Sequence, residues 1–343
     1  MTTLETMDLV MAQLMGRDPE GKKNSHFTME KWEWPQGVAM YSMYKVYKST
    51  GDKAWLKKME DWFDWHFAKG LPDKNINTAA PLTTLCFLYE ETKNEKYLKP
   101  IIEWSDWVMK GLPRTEEGGF RHITSDSANE QQLWDDTLFM TVLFLYRAGI
   151  VLGRKDYTDE AKYQFLLHIK YLHEPKNGLW YHGFCFIGRH HFGEAFWARG
   201  NSWFTAGAID FIEWLDEKDA VRRLIENTWV EQCKALCNLQ DEKTGLWHTL
   251  LDHEDSYLET SASAAIAYGL KKGVRLGLLD EKCGQCAEKA VQGVLSQIDP
   301  DGVVQGVSYG TPMGHDLDFY RQIPVCPTAY GQGLTFLMLT EEL

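Results

Sequence analysis

Leu138-Phe139-Met140-Thr141-Val142-Leu143-Phe144-Leu145 is apolar on nearly every side, and the stretch just ahead of it, Asn129 to Asp136, is largely polar. A helix with an apolar circumference is buried on all faces rather than laid on a surface. The same passage from a polar loop into an apolar helical stretch recurs at Gly37–Lys48, Thr78–Thr92, Asp136–Gly149, Gly200–Leu215, Ser261–Val274 and Tyr330–Leu339. Starts roughly 40 to 70 residues apart are the spacing of stacked helical units. Between most of them lies a second, amphipathic helix. In Lys53–Ala68, residues Trp55, Met59, Trp62, Phe63 and Phe67 share one face at three-and-four spacing, with Lys and Asp opposite, and Gly70 and Pro72 end it. Six inner and six outer helices predict an all-α fold, an (α/α)6 barrel, with the loops ahead of the inner helices gathered at one mouth.

A second recurrence places a Gly turn before an aromatic, strand-like segment: Gly118–His122, Gly178–His182, Gly245–Thr249 and Gly302–Gln305. These predict short β-hairpin insertions in the mouth loops. Alternation puts Trp180 and His182 on one face. No β-branched runs of strand length alternate with the helices, which argues against a βαβ protein. No Ser-rich, charged or low-complexity run divides the chain, so residues 1–343 read as one catalytic domain.

The composition is that of globular material, and the net charge of −13 argues against nucleic acid or an anionic membrane as partner, because phosphate binding needs basic patches. No apolar run is long enough to span a bilayer. Met1–Arg17 lacks the basic, apolar and small-residue parts of a signal peptide. The seven cysteines form an odd, irregular set, and Cys283-x-x-Cys286 reads as part of an outer helix without the context of a redox or zinc motif. Together these predict a cytoplasmic protein with reduced thiols.

Nucleotide-binding, zinc-protease and serine-hydrolase signatures are absent, and the adjacent pair His190-His191 makes a poor metal site, so no metal and no cofactor are expected. Chemistry then falls to side-chain acids and bases. In Trp134-Asp135-Asp136-Thr137 two carboxylates stand beside a tryptophan at the start of the apolar helix. One aspartate serves as a helix cap, while a second beside a like charge and apolar surface is the arrangement that raises a carboxyl pKa, although the helix N-terminus pulls the other way. Capping and catalysis both remain open on these residues alone. Trp197-Ala198-Arg199-Gly200-Asn201-Ser202-Trp203 offers flat rings and fixed donors of the kind that hold a sugar. Trp34, His122 and His182 fall in further mouth loops, as do the acids Glu194, Glu259, Asp316 and Asp318, which nothing in their spacing separates.

Trp134–Met140, Gly178-Leu179-Trp180-Tyr181-His182-Gly183 and Trp197–Trp203, in that order, resemble the unsaturated rhamnogalacturonyl hydrolases of glycoside hydrolase family 105. The similarity runs from Trp32–Gly37 to Tyr330-Gly331-Gln332. The resemblance implies an (α/α)6 barrel that acts, inside the cell and without a metal, on unsaturated galacturonyl-rhamnose fragments from pectin degradation. It places the general acid and base on Asp136, with Asp135 as its neighbour, and a sugar subsite on His182, Arg199 and Trp203, with His122 as a further cleft histidine. Some relatives carry a further aspartate in the loop that here reads Asp73-Lys74-Asn75-Ile76-Asn77-Thr78, where either Asp73 or an asparagine takes its place, and Asn75 is counted among the substrate-binding candidates.

One acid suffices for such a substrate, whereas ordinary glycosidases need two carboxylates at a set separation. The C4=C5 bond of an unsaturated uronate is a vinyl ether, and protonation at C4 leaves an oxocarbenium at C5. That role requires Asp136 to be protonated when substrate arrives. Three other readings fit the same toroid: an inverting glycosidase pairing Asp136 with Glu194 or Glu259, an epimerase using His182 and His248, and a non-catalytic carbohydrate binder. Fold alone selects none of them.

Overall fold

A computed structural model describes residues 2–16, 24 and 26–343. All six apolar stretches are helices: α2 (Trp34–Thr50), α4 (Pro81–Thr92), α6 (Leu143–Leu152), α8 (Ala198–Trp214), α10 (Thr260–Arg275) and α13 (Ala329–Leu339). They form a closed inner ring, each packed on the next in chain order and α13 on α2, with α6 joined to α8 through the turn ahead of it and through Tyr146 against Phe211. Outside them lie α1 (Thr3–Met15), α3 (Lys53–Lys69), α5 (Leu98–Lys110), α7 (Lys155–Leu172), α9 (Ala220–Asn238) and α11 (Glu281–Leu295). The outer helix α1 comes first in the chain and packs against α13, the last inner one. Gln332 of α13 seals that junction by donating to the carbonyl of Val10, at 3.1 Å. The result is the (α/α)6 barrel expected from the periodicity. A short helix α12 (Leu317–Arg321) lies in the last mouth loop. Among the described residues no helix is long and apolar enough to cross a membrane.

The two rings differ as their sequences do. Helix α3 buries Trp55, Met59, Trp62, Phe63 and His66, and its N-cap Asp52 accepts from the Ala54 amide at 2.8 Å. Helix α8 is buried from Ala198 to Ile212. Small residues let the inner helices approach closely: a Cβ at Gly269 of α10 would meet the Thr205 carbonyl of α8 at 2.9 Å. The ring interior also holds a charge cluster. Fully buried Asp210 of α8 accepts from Tyr41 and Lys45 of α2 and from Tyr268 and Lys272 of α10. Burial alone would raise its pKa, but Lys272, Lys45 and the hydroxyls hold it below the ordinary value. A buried charge is tolerated only when its partners are in place, so this cluster locks three inner helices to one another.

The short strand pairs lie in the mouth loops. Strand β2 (His173–Glu174) pairs with β3 (Leu179–Trp180), and β5 (Trp247–His248) with β6 (Leu258–Glu259), while Phe120 and Val304 form single bridges, so each expected β excursion occurs. A third pair was not anticipated. Strand β1 (Gln132–Trp134) runs antiparallel to β4 (Gly183–Cys185), with Trp134 opposite Gly183. It brings the paired aspartates next to His182. Helical backbone begins at Asp136, as the sequence predicts, but passes through a π-helical turn, Leu138–Val142, before α6. The seven cysteines are unpaired, and Cys283 and Cys286 lie on α11 as the sequence predicts.

Candidate active site

The mouth of the barrel holds a cavity of about 600 Å³. Five of the expected residues line it: Trp34, His122, Asp136, Trp197 and Arg199. Trp34 is the first residue of α2, Arg199 lies in the first turn of α8, and Asp136 sits in the turn leading to α6, so inner-helix N-termini face the cavity. Their partial positive charge favours an anion there.

Asp135 and Asp136 follow β1 directly, and the Asp135 amide donates to the His182 carbonyl at 3.1 Å. Neither carboxylate caps a helix; the π turn and α6 both begin without a side-chain cap. Asp136 reaches the cavity with its side chain 15% exposed, and its Oδ2 lies 3.4 Å from His182 Nε2, longer than an ordinary hydrogen bond. Asp135 points inward, fully buried, and neither of its oxygens has a conventional hydrogen-bond partner. Its neighbour is Asp136. The sequence reading put a raised pKa on Asp136, and here the structure corrects it. Burial, and then the charge of Asp136, raise Asp135 well above the usual carboxylate range. Burial would also raise Asp136, but the contact with His182 outweighs it and holds Asp136 low. The proton of the pair therefore rests on Asp135.

The two histidines are neutral because burial lowers both. His122, its pKa brought down to about 3, stacks on Trp134 with ring centroids 4.2 Å apart and pairs through Nδ1 with Thr137 Oγ1 at 2.8 Å. His182 packs on Trp197 at 4.3 Å, and its Nδ1 meets the Tyr320 hydroxyl at 2.8 Å. Asp135, Asp136 and His182 are, among the described residues, the one group of three potential ligand side chains whose donor atoms lie within 4.8 Å of one another. A proton between the carboxylates relieves the same repulsion that a cation would.

Arg199 is fully buried yet borders the cavity. It donates to the Ser308 carbonyl at 3.0 Å and to the Ser308 hydroxyl, and to the Tyr309 carbonyl and the Thr311 hydroxyl, both at 2.9 Å. Its guanidinium lies over Trp197, 4.5 Å from the ring centroid. Glu259 stands 3.5 Å behind it and caps α10 by accepting from the Ala262 amide at 2.6 Å. This scaffold fixes a planar, permanently charged fork at the cavity wall.

Four expected residues sit elsewhere. Asp135 and His182 lie behind Asp136 rather than on the cavity surface. Trp203 is buried beneath Trp34, ring centroids 6.0 Å apart. Asn75 is buried, and its Oδ1 accepts from the Asn77 and Thr78 amides at 2.8 and 2.9 Å; Asn77 lines the cavity instead. Asn201 braces the backbone of Trp180, accepting from its amide and donating to its carbonyl, each at 2.8 Å. Trp180 therefore packs into the core against Phe204 while His182 turns to Asp136. Of the remaining acids, Asp316 caps α12 through the Phe319 amide at 2.8 Å and Asp318 pairs with Arg321 at 3.0 Å. Among the described lining residues the carboxylates are Asp136 and the exposed Asp126. Sequence reasoning missed the Tyr309–His315 wall and Tyr320; that stretch has neither helical nor strand periodicity, so nothing in it points at the cavity.

With this geometry in place, comparison with known proteins defines the class. The model of glycosyl hydrolase family 88 matches residues 6–343, and the chain belongs to that family of glycoside hydrolases. It is 33% identical over 315 residues to the unsaturated rhamnogalacturonyl hydrolase YesR of Bacillus subtilis, covering 91% of this chain and 90% of the relative. Among solved structures, a possible member of family GH105 from Salmonella enterica matches with a TM-score of 0.95 and 45% identity over 99% of this chain and 93% of the other. A family 105 glycoside hydrolase of C. acetobutylicum matches with a TM-score of 0.85 and 25% identity over 98% of each chain.

Proposed function

We propose that this protein hydrolyses unsaturated uronyl oligosaccharides of the galacturonyl-rhamnose type left by pectin and rhamnogalacturonan degradation, by hydrating the C4=C5 vinyl ether. The observation that carries the reading is Asp136, the one well-buried carboxylate among the described residues lining the cavity, backed by a second that holds a proton. The likeness to a relative named for unsaturated rhamnogalacturonyl hydrolysis supports the substrate class.

In the resting pair Asp135 carries the proton and Asp136 does not. A uronate entering the cavity excludes water and adds its own negative charge, which makes the Asp136 anion more costly. The proton then passes to Asp136 from the adjacent Asp135, and Asp136 delivers it to C4. The C5 oxocarbenium is stabilised by the ring oxygen. Asp136, again a carboxylate, takes a proton from the water that adds at C5 and returns it to Asp135, and the hemiketal opens and expels the second sugar. The charge of Arg199 and the partial charge of the helix N-termini favour the uronate carboxylate, while Trp34 and Trp197 flank the ring. An inverting glycosidase built on Glu194 or Glu259 is disfavoured, because Glu259 is buried behind Arg199 and neither residue lines the cavity. His248 lies off the described lining as well, its Nδ1 on the Ser256 carbonyl at 2.5 Å, which removes the second histidine of an epimerase. The odd set of unpaired thiols supports a reducing, cytoplasmic setting.

Incubation with lyase-generated disaccharides, followed by ultraviolet absorbance, tests the reading. Loss of the conjugated chromophore together with release of a reducing sugar is expected. Release from saturated disaccharides with no effect on unsaturated ones would overturn it.

A further inference from the structure

Tyr320 belongs to the five-residue helix α12, far in sequence from the paired aspartates, yet it is 1% exposed and its hydroxyl lies 2.8 Å from His182 Nδ1. Three groups besides its own ring meet that hydroxyl: the Gly314 amide donates to it at 3.1 Å, the Met313 sulfur lies 3.8 Å away, and His182 Nδ1 is the third. A phenol has one proton to give. Thioether sulfur is a weak acceptor and an imidazole nitrogen a strong one, so with the amide already donating, the hydroxyl proton goes to Nδ1. The His182 proton is then on Nε2, the nitrogen 3.4 Å from Asp136 Oδ2. The opposite tautomer would set a nitrogen lone pair against a carboxylate oxygen and send the tyrosine proton to sulfur.

We propose that Tyr320 is a positioning residue for the reaction: it fixes the His182 tautomer that presents Nε2–H to Asp136. Hydrogen bonds run from the Gly314 amide to the Tyr320 hydroxyl and on to His182, whose Nε2 faces Asp136 Oδ2 across 3.4 Å. In this arrangement His182 steadies the carboxylate of Asp136 both before the proton arrives from Asp135 and after it has left for the sugar. The imidazole is held from its other sides too. Its backbone amide donates to the Ala195 carbonyl at 3.2 Å, and its ring packs on Trp197 and edge-on to Trp134. Packing thus sets where the ring lies, and Tyr320 sets which nitrogen is protonated.

The proposal rests on the assignment of Asp136 as proton donor, and its test is chosen so that the two fail separately. Nitrogen-15 NMR of the imidazoles in the substrate-free wild-type protein, with His182→Gln to identify the signal, reads the tautomer without any turnover. A protonated Nε2 and an unprotonated, hydrogen-bonded Nδ1 are expected; a proton on Nδ1 overturns the proposal whatever the enzyme's substrate. In Tyr320→Phe the Nδ1 signal should lose its hydrogen-bond shift, and kcat should fall roughly tenfold or more, part of the ~10²–10⁴ that a positioned acid or base supplies, with KM within about twofold. Unchanged kcat in a folded Tyr320→Phe protein, or a loss confined to KM, would equally overturn it. Should that variant fold poorly, the wild-type spectrum alone decides.

Discussion

Asp135 occupies the space that a side chain at Gly200 would need: a Cβ there would stand 2.2 Å from Asp135 Oδ2. Gly200 lies in the first turn of α8, so alanine suits its backbone, and the conflict is purely steric. Gly200→Ala should keep the fold but push Asp135 against Asp136. A displacement of about 1 Å in such a pair costs on the order of 10²-fold in rate. Steady-state kinetics beside a thermal melt checks this, and near-normal kcat would contradict it.

Asp136→Asn should retain the melting temperature within about 2 °C, since the residue neither caps a helix nor neutralises a buried cation, and it should retain substrate affinity. Turnover should drop by about 10²–10⁴ or more, the contribution of a positioned acid. Calorimetric binding of the unsaturated disaccharide to the variant, together with its residual rate, makes the check. Substantial residual hydration would remove Asp136 from its role.

Asp135 gives a pH signature in stability. Its folded pKa is raised by burial and by the charge of Asp136. Unfolded, it ionises near pH ~4. The stability it contributes is therefore complete below that pH and is lost as pH rises toward the folded value. Asp135→Asn is neutral in both states, so its stability relative to wild type should climb from about pH 4 to pH 7. Urea melts at stepped pH measure the gap, and a gap that stays constant would mean the proton does not rest on Asp135.

The Asp210 cluster should matter for folding and not for chemistry. Asp210→Ala strips Lys272 and Lys45 of their shared carboxylate inside the ring. Breaking a buried pair in this way costs about 3–5 kcal/mol, read as a lower denaturation midpoint with kcat unchanged in whatever protein remains folded. A shift under about 1 kcal/mol would show that the lysines find water or Glu213 instead.

The rings were legible because burial writes itself into periodicity. Leu138–Leu145 is apolar all round and lies wholly inside, whereas Trp55, Met59, Trp62 and Phe63 mark the single buried face of α3. The candidate site was legible in part. Trp34, Asp136, Trp197 and Arg199 announced themselves as aromatic and charged residues in loops ahead of apolar helices, and the cavity gathers them. Long-range pairing was not legible: the β1–β4 ladder is three residues long on each side and carries no alternation that its neighbours lack. Its consequence, that His182 meets Asp136 and leaves Asp135 to hold the proton, depends on which nitrogen and which oxygen face each other. Asn75 misled for a related reason, since an asparagine in a mouth loop looks the same whether it binds a ligand or ties its own turn.

The central claim is that Asp136 gives a proton to an alkene carbon. Turnover of an unsaturated galacturonyl-rhamnose disaccharide in deuterium oxide, followed by mass spectrometry and NMR of the opened uronate, tests it most directly. One deuterium at C4, appearing in step with the loss of ultraviolet absorbance, is predicted. Release of rhamnose with the double bond intact and no deuterium at C4 would contradict it.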